Sequence, residues 1–449
     1  MEQFDLIIIG AGSGNSILTD DFADWKVAIV ERDVFGGTCL NRGCIPSKMF
    51  IYPASIVETI RTASPLGVDA HVDNVRWSDI VSRVFNRIDP IAEDGEDYRK
   101  SLDNVTVFNE DARFVGHKQL RVGDQTITAD TIVLAAGARP RIPDIDGLDS
   151  VDFHTSATIM RLEELPKRLA ILGGGFIACE LGHVFNAAGS DVTIINRSPG
   201  LLTSHDHEVS KRFTEVFSKR FTMRTGSVPD KITQHDGEIT IEFEGQEPVV
   251  VDELLIAIGR IPNGEQLGVS ESGIPLNDDG YVIVDEHMRT EVEGVWALGD
   301  ICNPMQLKHT ANAETRVIAH NIQHPGELQS PNYSGAPSAV FTSPQIATVG
   351  KTEQELKQSG VNYVAHTQPY SSTAYGWAME DDHGFCKVIC DADTRQLLGA
   401  HIIGHEASLL IQQLVLGMRF DITVDDMASG PLYIHPALSE VVEQALLEL

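Results

Sequence analysis

The feature that most constrains this chain is one local pattern that occurs twice: an apolar strand, a glycine turn, a helical stretch and a second strand. Phe4 to Ile9 is a β-branched apolar run that leads into Gly10-Ala11-Gly12-Ser13-Gly14, and Val27 to Val30 closes the unit at Glu31. The pattern returns at Arg168 to Leu172, followed by Gly173-Gly174-Gly175, a helical segment to about Ala188 and the strand Asp191 to Ile195. Glycine lets the backbone approach a pyrophosphate, and the free N–H groups of a helix start favour its negative charge. Two such units predict an α/β chain with two Rossmann-like dinucleotide-binding domains.

The two turns differ where the ligand is read. In the first, the sixth position of the Gly10-x-Gly12 fingerprint is Asn15 instead of glycine, so helix and strand pack less closely there. Glu31 stands about 20 residues on, where an acid accepts from a ribose 2′-hydroxyl and repels a 2′-phosphate. This predicts an unphosphorylated adenosine, as in FAD or NAD. The second turn, Gly173-x-Gly175-x-x-Ala178, ends its second strand at Asn196-Arg197. An arginine there can hold a 2′-phosphate, which predicts NADPH; the alternative is a solvated surface arginine.

Charge narrows the partners. The chain has 34 Lys and Arg against 65 Asp and Glu, a formal charge of −31. That excludes nucleic acid and anionic membrane surfaces as ligands of a basic face, and any anionic cofactor must meet a local basic site. No run of about 18 apolar residues suggests a membrane span. Acids near the N-terminus, where a signal peptide would be basic, predict a cytoplasmic protein. Length predicts about three domains, with boundaries near 147, 258 and 328.

Chemistry concentrates in Gly36-Gly37-Thr38-Cys39-Leu40-Asn41-Arg42-Gly43-Cys44-Ile45-Pro46-Ser47-Lys48. Residues five apart on a regular helix are separated by about 140°, so a Cys39–Cys44 bridge requires a distorted turn. Pro46 suits a first helical turn, which puts Cys44 at the positive end of a dipole that stabilises a thiolate. A metal site competes with dithiol redox, but no second Cys/His pair of ligand spacing accompanies the two cysteines, so no metal is expected.

This segment resembles the redox signature of the pyridine nucleotide–disulfide oxidoreductases, a family that includes glutathione reductase, dihydrolipoamide dehydrogenase and mercuric reductase. Ala135-Ala136-Gly137-Ala138-Arg139-Pro140, Ala297-Leu298-Gly299-Asp300 and His435-Pro436-Ala437-Leu438-Ser439-Glu440 resemble further family motifs, in order, from about residue 4 to 446. The resemblance implies FAD and NADPH domains plus a C-terminal α+β dimerisation domain: 1–147 and 258–327 for FAD, 148–257 for NADPH, 328–449 for dimerisation. It assigns Gly10, Gly12, Ser13, Gly14, Glu31, Gly37, Thr38, Lys48, Gly137 and Asp300 to FAD. It assigns Gly173, Gly175, Phe176, Ala178 and Arg197 to NADPH. Cys39 is the implied interchange thiol and Cys44 the thiol against the flavin. His435, oriented by Glu440, is the implied proton donor, reaching across a homodimer. Lys48 is implied beside the flavin ring and paired with Glu180. The implied substrate is a small-molecule disulfide.

Within the family, GAGSGNS, the stretch from Val75 to Arg99, AYGWAMED and IHPALSEVVEQALLEL resemble one branch that reduces the disulfide of a low-molecular-weight thiol. Dihydrolipoamide dehydrogenase carries an acid where this chain has Asn196-Arg197, and glutathione reductase has a second arginine where this chain has Thr203. Cys386 and Cys390, on one face of a strand and roughly 13 Å apart, are expected in a core, as is Cys179; Cys302 is expected in core or loop. His205-Asp206-His207-Glu208 is expected to be a solvated turn rather than a metal cluster.

Overall fold

A computed structural model describes residues 1–449, which divide into two compact units: 1–46, 81–141 and 259–333 in the first, 47–80, 142–258 and 334–449 in the second. No helix is long and apolar enough to cross a membrane.

The first unit is built on a mainly parallel sheet in the order Val105–Phe108, Val27–Val30, Glu2–Ile9, Gln125–Leu134. The long strand Gln125–Leu134 serves two neighbours. Its first half pairs antiparallel with Gln119–Val122, and Ile132 to Leu134 pair in parallel with Val295–Ala297. Central parallel strands are covered on both faces and read as unbroken apolar runs. Accordingly Ile7 and Ile9 enter one core, while Leu6 and Ile8 enter the other.

The segment after the first glycine turn departs from expectation. Instead of an α-helix it forms two short 3-10 pieces, Ser13–Ile17 and Asp20–Phe22. Thr19, Asp20 and Asp21 offer side-chain alternatives to a helical ladder, and the Thr19 hydroxyl donates to Asp21 Oδ2 at 3.1 Å. The packing role passes to the helix Lys308–Gln323, whose Thr315 hydroxyl donates to the Ser13 carbonyl at 3.3 Å.

In the second unit, a parallel sheet runs Thr222–Thr225, Asp191–Asn196, Arg168–Leu172, Glu253–Ile256. The helix Phe176–Ala188 follows its glycine turn and ends on Gly189, a left-handed residue at φ 117°. The same unit contains a five-stranded antiparallel sheet in the order Pro337–Val340, Gln345–Gly350, Leu397–Gly404, Phe385–Asp391, Tyr363–Pro369. The helices Ala407–Arg419, Val424–Ser429 and Glu440–Leu447 contribute to its core. Cys386 and Cys390 are fully buried in that core.

Lys387, between those cysteines in sequence, points to the opposite face. It corrects, at Asp206, the expectation of a solvated turn over His205 to Glu208, of which His207 and Glu208 are exposed. Lys387 Nζ lies 3.0 Å from Asp206, 3.1 Å from Glu208 and 2.7 Å from Glu353, and the Lys387 and Asp206 side chains are only 3% and 0% exposed. Asp206 also caps the helix His207–Phe217 by accepting from the Glu208 amide. Burial pushes His205 down to about 4, so it is neutral near pH 7. Hydrogen bonds from Lys357 and then Lys387 hold Glu353 down to about 2. With that sign, its contribution to stability is complete above the ordinary carboxylate range and is lost as pH falls towards 2. Replacing Lys387 with Met leaves Asp206 buried without its cation. The variant should lose about 3–5 kcal/mol of stability, read as an earlier urea midpoint for the second unit; a midpoint equal to wild type would show that Asp206 does not need its lysine.

Candidate active site

The redox segment is shaped by glycine. Gly36 and Gly37 have φ of 96° and 66°, in the left-handed region, and start the helix Gly37–Arg42. That helix stops at Gly43 (φ −137°, ψ −120°), and a new one, Cys44–Arg61, begins at once. A Cβ on Gly43 would sit 2.8 Å from the Thr38 carbonyl oxygen and 3.3 Å from Cys39 Cα. Only glycine permits this fold-back, which supplies the distortion that a Cys39–Cys44 contact requires. Asn41 is buried, and its amide donates to the carbonyls of Val34, Phe35 and Gly37 at 3.3, 2.7 and 3.2 Å.

The two cysteines are hydrogen-bonded to each other and do not form a disulfide here. The Cys39 thiol is lowered from 9.0 to about 7, first by the hydrogen bond from Cys44, against the opposing effect of burial. The charge of Lys308 and the amides of Cys44 and Ile45 add to the lowering. The start of the second helix therefore stabilises negative charge on Cys39, whereas its position in sequence suggested only Cys44 as the beneficiary.

The first turn lies against this segment. The Ala11 amide donates to Glu31 Oε2 at 2.7 Å, and the Ala11 carbonyl accepts from Gly36 at 3.1 Å. Gly10 (φ 107°) leaves no room for a Cβ, which would fall 2.3 Å from the Ala135 carbonyl oxygen. At Gly14 a Cβ would fall 2.4 Å from that of Ala135, so Gly14 provides the close packing that the fingerprint places at its sixth position. Asn15 instead accepts from Arg99. A Cβ on Gly37 would stand 2.7 Å from Gly12 Cα, so two backbone segments meet with no side chain between them. Arg260 Nε is buried without a hydrogen-bond partner, 3.8 Å from Asp300. Burial holds the Asp300 carboxyl above its usual value. These bare glycines and half-satisfied polar atoms fit a flat, polar-edged ligand such as FAD.

Several supporting residues carried no sequence signal because their partners are remote. Fully buried Glu314 accepts from the Gly299 amide, Asn303 and Tyr333 at 2.7, 2.5 and 2.6 Å, fixing the loop that bears Asp300. Gly137, also left-handed at φ 64°, accepts through its carbonyl from the Asn263 amide at 3.0 Å. Thr38 follows Gly37 in the first turn of its helix.

The second turn is open. Gly173 (φ 135°) approaches Ala257, and nothing would obstruct a Cβ on Gly175. Gly175 caps the helix Phe176–Ala188, whose Ala178 is buried and whose Phe176 is 48% exposed. Asn196 is occupied by the carbonyls of Ser198 and Gly200 at 3.0 and 2.9 Å, so exposed Arg197 is the residue presented beyond the strand. Thr203 is exposed as well.

Also in the second unit, Lys48 Nζ reaches both oxygens of Glu180 at 2.8 and 2.7 Å. Burial raises the Glu180 carboxyl, against the opposing charge of Lys48. The Phe341 amide donates to the same carboxylate at 2.9 Å. His435 Nδ1 lies 2.7 Å from Glu440 Oε1, with the histidine side chain 75% exposed and the glutamate 12%. Glu440 thus fixes one ring nitrogen and leaves Nε2 outward. That arrangement suits handing a proton to a group that approaches Nε2.

A thiolate reacts and a thiol does not. Alkylation of the reduced protein by iodoacetamide should therefore rise with pH with a midpoint near 7 at Cys39, followed by peptide mass spectrometry. A midpoint near that of an ordinary cysteine would contradict the arrangement of donors around Cys39.

Two family models match the chain: "Pyridine nucleotide-disulphide oxidoreductase" over residues 4–315 and its dimerisation domain over 336–446. Among curated relatives, mycothione reductase of Mycobacterium tuberculosis is 46% identical, covering 100% of both chains. Dihydrolipoyl dehydrogenase of Chlamydia muridarum is 32% identical, covering 99% of this chain and 97% of the relative. Among solved structures, the HOCl-induced flavoprotein disulfide reductase RclA of Escherichia coli superposes with a TM-score of 0.87 at 25% identity, covering 99% of each chain. The chain belongs to the pyridine nucleotide–disulfide oxidoreductases: it is an FAD- and NAD(P)H-dependent disulfide oxidoreductase.

Proposed function

We propose that this enzyme uses NADPH to reduce mycothione, the disulfide of mycothiol, to two molecules of mycothiol. The observation that carries the reading is the Cys39–Cys44 pair, whose Cys39 thiol is lowered to about 7. Full-length similarity to a mycothione reductase supports the substrate. In this reading, residues 1–147 and 258–327 hold FAD, 148–257 hold NADPH, and 328–449 form the interface of a cytoplasmic homodimer.

FAD, when bound, would supply a two-electron relay between the nicotinamide and the Cys39–Cys44 disulfide. Gly10, Gly12, Ser13, Gly14, Glu31, Gly37, Thr38, Gly137 and Asp300 hold it. Lys48, oriented by Glu180, supplies a cation beside its ring. Gly173, Gly175 and Ala178 admit NADPH to the second turn, Phe176 flanks the nicotinamide, and Arg197 holds the 2′-phosphate.

The Cys39 thiolate attacks one sulfur of the substrate disulfide, forming a mixed disulfide and expelling the first thiolate. The partner subunit's His435 gives that thiolate a proton from Nε2. Cys44 then loses its proton and attacks the Cys39 sulfur, which re-forms the Cys39–Cys44 disulfide and releases the second mycothiol. Each turnover consumes one NADPH and one proton.

Initial rates of NADPH oxidation with mycothione, oxidised glutathione and lipoamide test the substrate. Turnover is expected with mycothione; turnover with lipoamide or glutathione alone would instead identify a dihydrolipoamide dehydrogenase or a glutathione reductase. Cys44→Ser should abolish turnover with FAD still bound. Arg197→Glu should lower kcat/KM for NADPH by at least roughly ten- to hundredfold, the weight of one charge-assisted hydrogen bond, and leave that for NADH equal or higher, since an acid there accepts from a ribose 2′-hydroxyl. An equal loss with both nucleotides would reject a 2′-phosphate role for Arg197.

A further inference from the structure

Two cations close on the first glycine turn, and their partners there are not carboxylates. Lys308 Nζ donates to the Ser13 hydroxyl at 2.8 Å. Arg99, buried, donates to the Asn15 side chain and carbonyl, each at 2.8 Å. In a chain of net charge −31, this half-buried lysine donates to a hydroxyl and acts on the Asp300 carboxyl only through its charge, which places it to meet an added anion.

Lys308 is also at the wrong end of its helix. It is the first residue of the 16-residue helix Lys308–Gln323, which has no side-chain cap. The helix dipole disfavours a cation at this end and favours one at the other. Such a local conflict is expected where a bound anion resolves it.

The turn itself supplies the anion's location and lacks its usual compensation. A dinucleotide pyrophosphate ordinarily rests on the N-terminus of an α-helix. Here the turn leads only into the five-residue 3-10 segment Ser13–Ile17, too short for a comparable dipole.

We propose that Lys308 is a cofactor-binding residue whose ammonium neutralises the pyrophosphate of FAD at the Gly10–Gly14 turn, with Arg99 positioning that turn through Asn15. This rests on the assignment of FAD to the first turn and NADPH to the second. The same charge also acts on the redox pair. The Cys39 thiol is lowered by Cys44, by Lys308 and by the amides of Cys44 and Ile45, so Lys308 links the cofactor site to the interchange thiol.

The test compares Lys308→Met, Lys308→Gln and Lys308→Arg in the full-length enzyme. FAD release and rebinding are followed by flavin fluorescence at low and high salt. The two neutral variants should bind FAD roughly ten- to hundredfold more weakly with a flatter salt dependence, and Lys308→Arg should restore most of the affinity. In the reduced neutral variants, the alkylation midpoint of Cys39 should move up in pH. The proposal is overturned if the neutral variants keep wild-type FAD affinity, or if Lys308→Arg loses as much as Lys308→Met. Weakened NADPH binding with unchanged FAD binding would overturn it differently, by showing that the two cofactors are assigned to the wrong turns.

Discussion

The architecture of the first unit depends on one junction of bare backbone. Ala11 donates its amide to Glu31 and accepts the amide of Gly36 through its carbonyl, at 2.7 and 3.1 Å. That short chain of hydrogen bonds ties the second strand, the first glycine turn and the redox segment to one another. It can form because Gly37 brings no side chain to the meeting point, where a Cβ would stand 2.7 Å from Gly12 Cα. Gly43 repeats the device a few residues on, folding Cys44 back towards Cys39. Cofactor cradle and dithiol are therefore products of the same local geometry, and neither can be moved without the other.

Electrostatics has to work against the rest of the molecule. A chain of net charge −31 repels the anionic cofactors its family uses, so a cofactor site has to supply its own positive charge. Arg260 is buried opposite Asp300, Lys308 stands over the first turn, and Arg197 stands beyond the second strand of the other unit. Cys39 draws on the same economy, since a nearby cation and two helix-start amides stabilise its thiolate. In the second unit, Lys387 is instead committed to carboxylates, those of Asp206, Glu208 and Glu353.

Much of this was legible in the sequence because it depends on short-range spacing. The strands around both glycine turns, the helix Phe176–Ala188 and the interruption between Cys39 and Cys44 are each set by residues close together in the chain, whereas the pairing of His435 with Glu440 came from the family resemblance. What was not legible depends on distant partners. Nothing near Glu314 announces that it fixes the loop of Asp300, and nothing near Lys308 announces Ser13. The short 3-10 segments replaced an expected helix because Thr19 to Asp21 compete with the backbone, a tertiary compromise stabilised by Lys308–Gln323. The burial of Asp206 in the turn at His205 to Glu208 was not legible for the same reason: its cation comes from a strand remote in sequence.

The most direct test of the central claim, that Cys39 and Cys44 form a redox pair in series with the flavin, is an anaerobic reductive titration of the holoenzyme followed by its visible spectrum. The account predicts uptake of twice the reducing equivalents that the flavin alone accepts, with a long-wavelength band at half-reduction from the fraction of the pair in which the proton shared by the two sulfurs sits on Cys39 and Cys44 is the thiolate. Uptake matching the flavin alone, with no such band, would contradict it.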